Sequence, residues 1–309
     1  MHRHDWQELP ERVRAAVRQH CGEVLEAHAP DAGRNSDFAA TLHLDGGDKV
    51  FCKGVRVDSD AARMHQHETL VNGALRTAFA PRLLWRVTID GWLVLGFEHV
   101  AGRHADLSPG SPDLPIIAES LSALARDLTP SPVAGVRDLR EKWERVRAWR
   151  QLRDDPPTTL DEWTRVHLAQ FAALEPVAAE LVGGSTLAHT DVHELNLLID
   201  DGSACLVDWA WAHVAAAWVD TAFLVIRLIQ TGHSPAEAET WAATSDAWRA
   251  APPAAVDAFA IEIYGMWEHL RHIDPRPARG APTRAARQWA MYRSGAYGRV
   301  SAFSDRNKT

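Results

Sequence analysis

Asp201-Gly202 stands between two apolar runs, Leu197-Leu198-Ile199 and Ala204-Cys205-Leu206-Val207, and it restricts the fold more tightly than any other stretch of the 309 residues. An Asp-Gly pair between extended runs predicts a two-residue hairpin turn, whose central residues take positive φ. That turn fixes the register: Asn196 faces Val207, and the side chains of Asn196 and Asp208 emerge at the same open end. An amide oxygen and a carboxylate at one edge suit a hard cation such as Mg2+, which takes few protein ligands and keeps waters or phosphate oxygens for the rest.

Immediately upstream lies the densest polar run of the chain, His189-Thr190-Asp191-Val192-His193-Glu194-Leu195-Asn196. Asp191 is close enough in sequence to Asn196 to share that site while keeping its own carboxylate for a different task, that of a base. Such a pairing suits phosphoryl transfer, where positioning and electrostatics supply nearly all the catalysis and a lysine helps neutralise the phosphates. Only four of the 33 basic residues are lysines, Lys49, Lys53, Lys142 and Lys308, so a lysine at a strategic position is informative.

Lys53 ends a predicted strand. Thr41-Leu42-His43-Leu44 and Val50-Phe51-Cys52-Lys53 flank Asp45-Gly46-Gly47-Asp48, and a two-residue turn at Gly46-Gly47 sets Lys53 opposite Ala40. Asp58-Ser59 then starts a helix to about Arg76, on which Met64, Glu68, Val71 and Leu75 share one apolar stripe. A carboxylate on that stripe needs a cation, and Lys53 is the nearest candidate in sequence. The alternative is a helix rotated so that Glu68 reaches solvent.

The spacing from His189 through Asp191 to Asn196, with Asp208 after a short hairpin, a lysine on a strand and a glutamate on the following helix, follows the kinase catalytic signature. With His193 as a second histidine and Val207-Asp208-Trp209 where protein kinases carry Asp-Phe-Gly, the chain resembles the aminoglycoside phosphotransferase and choline kinase-like family over roughly residues 31–229. The resemblance implies an α+β, bilobal protein kinase-like fold. A small antiparallel-sheet N-lobe would span 1–97, a hinge and linker 98–115, and a larger, mainly helical C-lobe carrying the hairpin 116–309. It further implies Asp191 as catalytic base, Lys53 on the nucleotide phosphates and paired with Glu68, and Asn196 and Asp208 on Mg2+. The segment from Gly33 through Ser36 to Phe38 would cover the phosphates, and the backbone around Glu98, His99 and Val100 would bind adenine. Asp220 would brace the catalytic loop.

The implied donor is ATP or GTP, and the implied acceptor is a hydroxylated small molecule. An aminoglycoside or related cationic antibiotic comes first, with choline, a sugar, an amino alcohol or a nucleoside as the alternative. The family pattern is not followed everywhere: the phosphate loop has one glycine, Gly33, Thr190 stands where glycine is common, and Glu194 replaces a frequent proline. None of these changes removes a functional group.

Composition narrows the remaining classes. Lys+Arg 33 against Asp+Glu 41 leaves a formal charge of −8, so there is no global field to gather nucleic acid. Three scattered cysteines, Cys21, Cys52 and Cys205, match neither a disulfide framework nor a metal knuckle and predict a reducing, cytoplasmic setting. The most apolar stretch, 210–229, is interrupted by His213, Asp220 and Arg227, which argues against a membrane span. A monomer or weak homodimer is expected. Apolar stripes at Ile117, Leu121, Leu124 and Leu128, at Leu139, Trp143 and Val146, and from Leu168 to Leu181 predict helices, with Glu262 and Glu268 read as solvated charges on a later one. The rival chemistry is a zinc hydrolase: His189, Asp191 and His193 would share a face if they lay on a continuous strand. That reading leaves Lys53, Glu68, Asn196 and Asp208 without a role, and the intact set of Asp191, Asn196 and Asp208 argues against a nucleotide-binding module without turnover.

Overall fold

The computed structural model describes residues 3–30 and 36–304, and the chain divides into two compact units. The first runs to Ala105 and adds Pro132–Val136 and Glu194–Ala212; the second holds Asp106–Ser131, Arg137–His193 and the chain from His213 onward.

The first unit is built on strands β1 (Val24–His28), β2 (Phe38–Leu44), β3 (Lys49–Arg56), β4 (Leu83–Ile89) and β5 (Trp92–Glu98), all antiparallel to their neighbours in the order β1-β2-β3-β5-β4. Its central strands are buried on both faces. One face, with Phe38, Leu42, Cys52 and Val94, packs on Val13 and Val17 of helix α1 (Glu11–Cys21); the other, with Val55, Leu93, Leu95 and Phe97, packs on Ala62 of helix α2 (Ala62–Ala74). The β2–β3 connection is a three-residue loop rather than the expected two-residue turn. Gly47 takes φ +85° as its last residue, and Gly47 N donates to Leu44 O at 3.0 Å. A type I turn closed by a left-handed residue offsets the ladder by one position, so Lys53 pairs with Ala39, not Ala40.

The second hairpin, β8 (Leu197–Asp200) and β9 (Ser203–Leu206), has the register the Asp-Gly turn dictates: Leu197 pairs with Leu206, and Asp201 and Gly202 take φ of 42° and 76°. Its grouping differs from the expected one. Strand β6 (Arg103–His104) pairs with β8, and Leu206 N donates to Phe79 O at 2.7 Å, which ties the hairpin to the sheet unit instead of the helical part.

The second unit holds a two-stranded ladder, β7 (Thr186–Ala188) with β10 (His213–Ala215), among nine helices within the described residues. These are α3 (Asp113–Asp127), α4 (Leu139–Val146), α5 (Ala148–Asp154), α6 (Glu162–Leu181), α7 (Val219–Gln230), α8 (Pro235–Ala242), α9 (Asp246–Arg249), α10 (Pro253–Ile273) and α11 (Gly280–Ser304). Trp149, Phe171 and Tyr264 form its aromatic centre, with the Trp149 and Phe171 rings 4.8 Å apart. Helix α6 continues through Pro176 and buries Leu168, Phe171, Ala172 and Ala178, whereas Val177 faces out. Asp161 caps α6 through Thr164 N and holds Arg287 of α11 at 2.6 Å, so one carboxylate joins two helices. Among the described residues no helix is long and apolar enough to cross a membrane.

Candidate functional site

In the first unit, strand β3 and helix α2 present Lys53 and Glu68 to each other. Lys53 lies on the sheet face that carries Leu95 and Phe97, the face covered by α2, and Glu68 lies on the buried stripe of α2 beside Val71. Lys53 Nζ is 2.6 Å from Glu68 Oε2 and 2.9 Å from Asp208 Oδ1, and the Glu68 side chain is only 2% exposed. The helix is therefore not rotated to give Glu68 to solvent. Burial opposes the Lys53 charge, but Asp208 and Glu68 outweigh it and hold the ammonium above the usual lysine range. Burial pushes Glu68 up to about 7 against the pull of Lys53, and the negative Asp208 adds to that rise. Two carboxylates share one ammonium here, so a further cation would find a favourable field.

Local folding fixes Asp208 at this spot. Its backbone is left-handed, with φ 65° and ψ 63°, and it opens a short 3-10 turn over Trp209–Trp211. Trp209 Nε1 donates to Leu206 O at 2.7 Å, while Trp209 N donates to the Glu68 carboxylate. His67 of α2 meets Ala212 O at 2.8 Å. The segment after β9 is thus stitched to the helix that carries Glu68. Asn196 precedes β8, is buried, and accepts from Val207 N at 2.9 Å through its backbone carbonyl, which sets it opposite the residue before Asp208. An amide and a partly exposed carboxylate are hard oxygen donors, the type Mg2+ takes, and the charge balance at Lys53 fits such an ion.

Ser36 Oγ lies 3.1 Å from His65 Nε2, and His65 Nδ1 lies 3.2 Å from Ala61 O. A carbonyl only accepts, so Nδ1 carries the proton, Nε2 accepts, and the Ser36 hydroxyl donates. Burial and the Lys53 charge lower His65 to about 4, so it is neutral at pH 7. Gly33 lies outside the described residues. At the end of β5, Glu98 N donates to Arg82 O at 2.9 Å and the Glu98 carboxylate pairs with Arg82 at 3.1 Å. His99 and Val100 follow, half-buried.

In the second unit, β7 leads into the loop that carries Asp191. Asp220, at the start of α7, accepts from His189 N at 2.8 Å and Thr190 N at 2.9 Å. This clamp holds Thr190 at φ 58°, a conformation that a β-branched residue adopts only under constraint, and Thr190 Oγ1 meets His213 Nδ1 at 3.1 Å. His189 is fully buried and accepts from Asp191 N through Nδ1, whereas His193 Nε2 stands 3.7 Å from Asp191 Oδ2. His189 thus turns into the loop rather than sharing a strand face with His193. Among the described residues this trio is not a group of converging metal ligands. Burial raises Asp191, but the adjacent His193, with His189 and Arg227 adding, brings it below the usual carboxylate range.

Sequence reasoning gave no role to Lys142 of α4. Val214 N of β10 donates to Arg137 O at 3.0 Å, and β10 pairs with β7, so the start of α4 is anchored beside the strands that flank the Asp191 loop. Burial lowers Lys142 to about 8 while the Asp191 charge works the other way. The scarcity of lysine was the signal that could have found it. Glu262 and Glu268 are not solvated: both are buried in α10, Glu268 against Arg271, and Glu262 raised well above the usual range by burial and by Glu175.

Residues 41–255 match the sequence model of a phosphotransferase enzyme family. No curated protein sequence matches the chain at a significant level. Among solved structures, the choline kinase LicA of Streptococcus pneumoniae gives a TM-score of 0.60 at 16% identity, over 91% of this chain and 99% of that one. The aminoglycoside phosphotransferase APH(3'')-Id of Streptomyces rimosus, in complex with ADP and streptomycin, gives 0.57 at 19% identity over 82% and 97%. The macrolide 2'-phosphotransferase MphH of Brachybacterium faecium gives 0.57 at 13% identity over 89% and 97%. At such identities the likeness is one of fold, the α+β kinase-like fold that the motifs implied.

Proposed function

Because the chain belongs to the phosphotransferase enzyme family, we propose that it moves the γ-phosphoryl group of ATP or GTP to a hydroxyl group of a small molecule. The observation that carries this reading is the buried Lys53–Glu68 pair at 2.6 Å with Asp208 2.9 Å from the same ammonium. Lys53 serves the nucleotide phosphates and Glu68 orients it. Asn196 and Asp208 are the residues that would hold Mg2+, which when bound neutralises charge on the phosphate oxygens. Gly33 and Ser36 are assigned to the phosphates as well. Adenine recognition falls on the backbone around Glu98, His99 and Val100 at the 98–115 linker, where Glu98 N is already committed to Arg82 O. Residues 1–97 then form the nucleotide part and 116–309 the catalytic and acceptor part, with the 194–212 hairpin paired to the linker strand β6 and tied to the former through Leu206 N and Phe79 O.

Asp191 is ionised at neutral pH, so it accepts a hydrogen bond from the acceptor hydroxyl and aims the oxygen lone pair. As the bond to phosphorus forms, the hydroxyl proton passes to an Asp191 carboxylate oxygen. A carboxylate held low is a weak proton acceptor, which suffices when the proton leaves late in a loose transition state. Its clamp is Asp220, acting through His189 N and Thr190 N.

An aminoglycoside or related hydroxylated antibiotic is the first acceptor class, supported by the streptomycin and ADP complex of the similar Streptomyces protein. Lys142 and Arg227, whose charges reach Asp191, favour a second reading, a small alcohol of low positive charge. A nucleotide-dependent screen over antibiotics and hydroxylated metabolites, with mass detection of product, separates the two. Asp191→Asn and Asp208→Ala should each lower turnover at least ~100-fold. Near-normal rates in either variant would overturn the assignment.

A further inference from the structure

On an unbroken ladder, Glu26 and His28 of β1 would share a face with the buried Leu42 and Leu44 of β2. They do not, because the register slips after Val24: Val24 pairs with Leu44, whereas Glu26 pairs with His43 and His28 with Thr41. The extra residue, Leu25, makes a β-bulge, and beyond it the alternation of side chains is reset. Val24 and Ala27 both pack on the α1 side of the sheet, and Glu26, His28 and His43 come together on the other.

One ligand atom from each of these three residues lies within 4.8 Å of the others. His28 Nε2 is 3.1 Å from Glu26 Oε2, and the His28 and His43 ring centroids are 4.7 Å apart. Two imidazoles and a carboxylate brought this close are poised to share one dication. We propose that Glu26, His28 and His43 form a binding site for a first-row transition metal ion, Zn2+ foremost. Imidazole nitrogens select Zn2+, Ni2+ or Cu2+ over Mg2+ and Ca2+, and three protein ligands leave a further position for water. Glu26 and His28 are exposed, so an ion enters from solvent without opening the fold. Lys49, opposite His43 on β3, is also exposed, and its flexible stem can carry the ammonium aside. Because β1 and β2 both contribute ligands, the ion cross-links the edge strand of the sheet to its neighbour.

The test uses full-length, tag-free protein stripped with a chelator and free of nucleotide. Zn2+ binding is followed by calorimetry and thermal unfolding, and Co2+ binding by visible absorption. One ion per chain is expected, with a rise in Tm. His28→Ala and His43→Ala should each weaken binding at least roughly tenfold and remove the Tm rise. His104→Ala and Asp208→Ala should leave both unchanged, and the latter separates this site from the ion assigned to phosphoryl transfer. Absence of stoichiometric binding, its persistence in a His28→Ala/His43→Ala double variant, or its loss in Asp208→Ala would each overturn the proposal.

Discussion

His65 shows how a single side chain ties stability to pH. Its folded value, about 4, lies below the ordinary 6.5, because burial and Lys53 disfavour the imidazolium. The contribution is complete above about pH 6.5 and is lost as pH falls towards 4, where the chain must charge a buried ring. The full span amounts to on the order of 3 kcal/mol. Urea midpoints between pH 7 and pH 4.5 should fall more steeply for the wild type than for His65→Gln; parallel curves would show that another group dominates. Lys53 gives the opposite experiment. Lys53→Met leaves Glu68 and Asp208 without their ammonium, a loss of about 3–5 kcal/mol when the partner stays ionised. Glu68 already sits near 7, so protonation relieves the defect. The deficit of Lys53→Met against wild type should therefore be larger at pH 8 than at pH 5.5, and an equal deficit would mean that Glu68 is not the group left stranded.

At the scale of elements, two hairpins show what a turn sequence can and cannot fix. Asp201-Gly202 admits one geometry, so the opposition of Asn196 and Val207 was readable from the sequence. Asp45-Gly46-Gly47-Asp48 admits two, and the left-handed Gly47 resolves it as three residues, one step away from the expected register. Helix α10 misled for another reason. It is buried on nearly all sides, so its charges do not mark a solvent face, and Glu262 lies inside with Glu175 of α6 nearby. The β6–β8 pairing was invisible beforehand because it depends on a close approach between distant segments. At Gly102, φ is +109°, and a Cβ would stand 2.3 Å from Ile199 O. Gly102→Ala should destabilise the protein by on the order of 2–3 kcal/mol, since backbone cannot yield as a side-chain tip can. A denaturation midpoint unchanged from wild type would contradict so tight a crossing.

For the molecule as a whole, the family was legible because phosphoryl transfer needs few residue types at restricted spacings, and the family match over 41–255 agrees with that resemblance. The acceptor was not legible, because no residue pattern in the helical part marked which side chains would meet it; in the structure the charges of Lys142 on α4 and Arg227 on α7 act on Asp191. All three cysteines belong to the first unit: Cys52 beside Lys53 on β3, Cys205 on β9 and Cys21 at the end of α1. Burial raises all three thiols, and Cys21 alone is half-exposed. An alkylating reagent should consequently mark Cys21 promptly and reach Cys52 and Cys205 only when the sheet unit opens. Equally fast modification of all three in native protein would contradict that order. The chain thus carries its own chemical clock for the breathing of one half, while the other half stays silent to the same reagent.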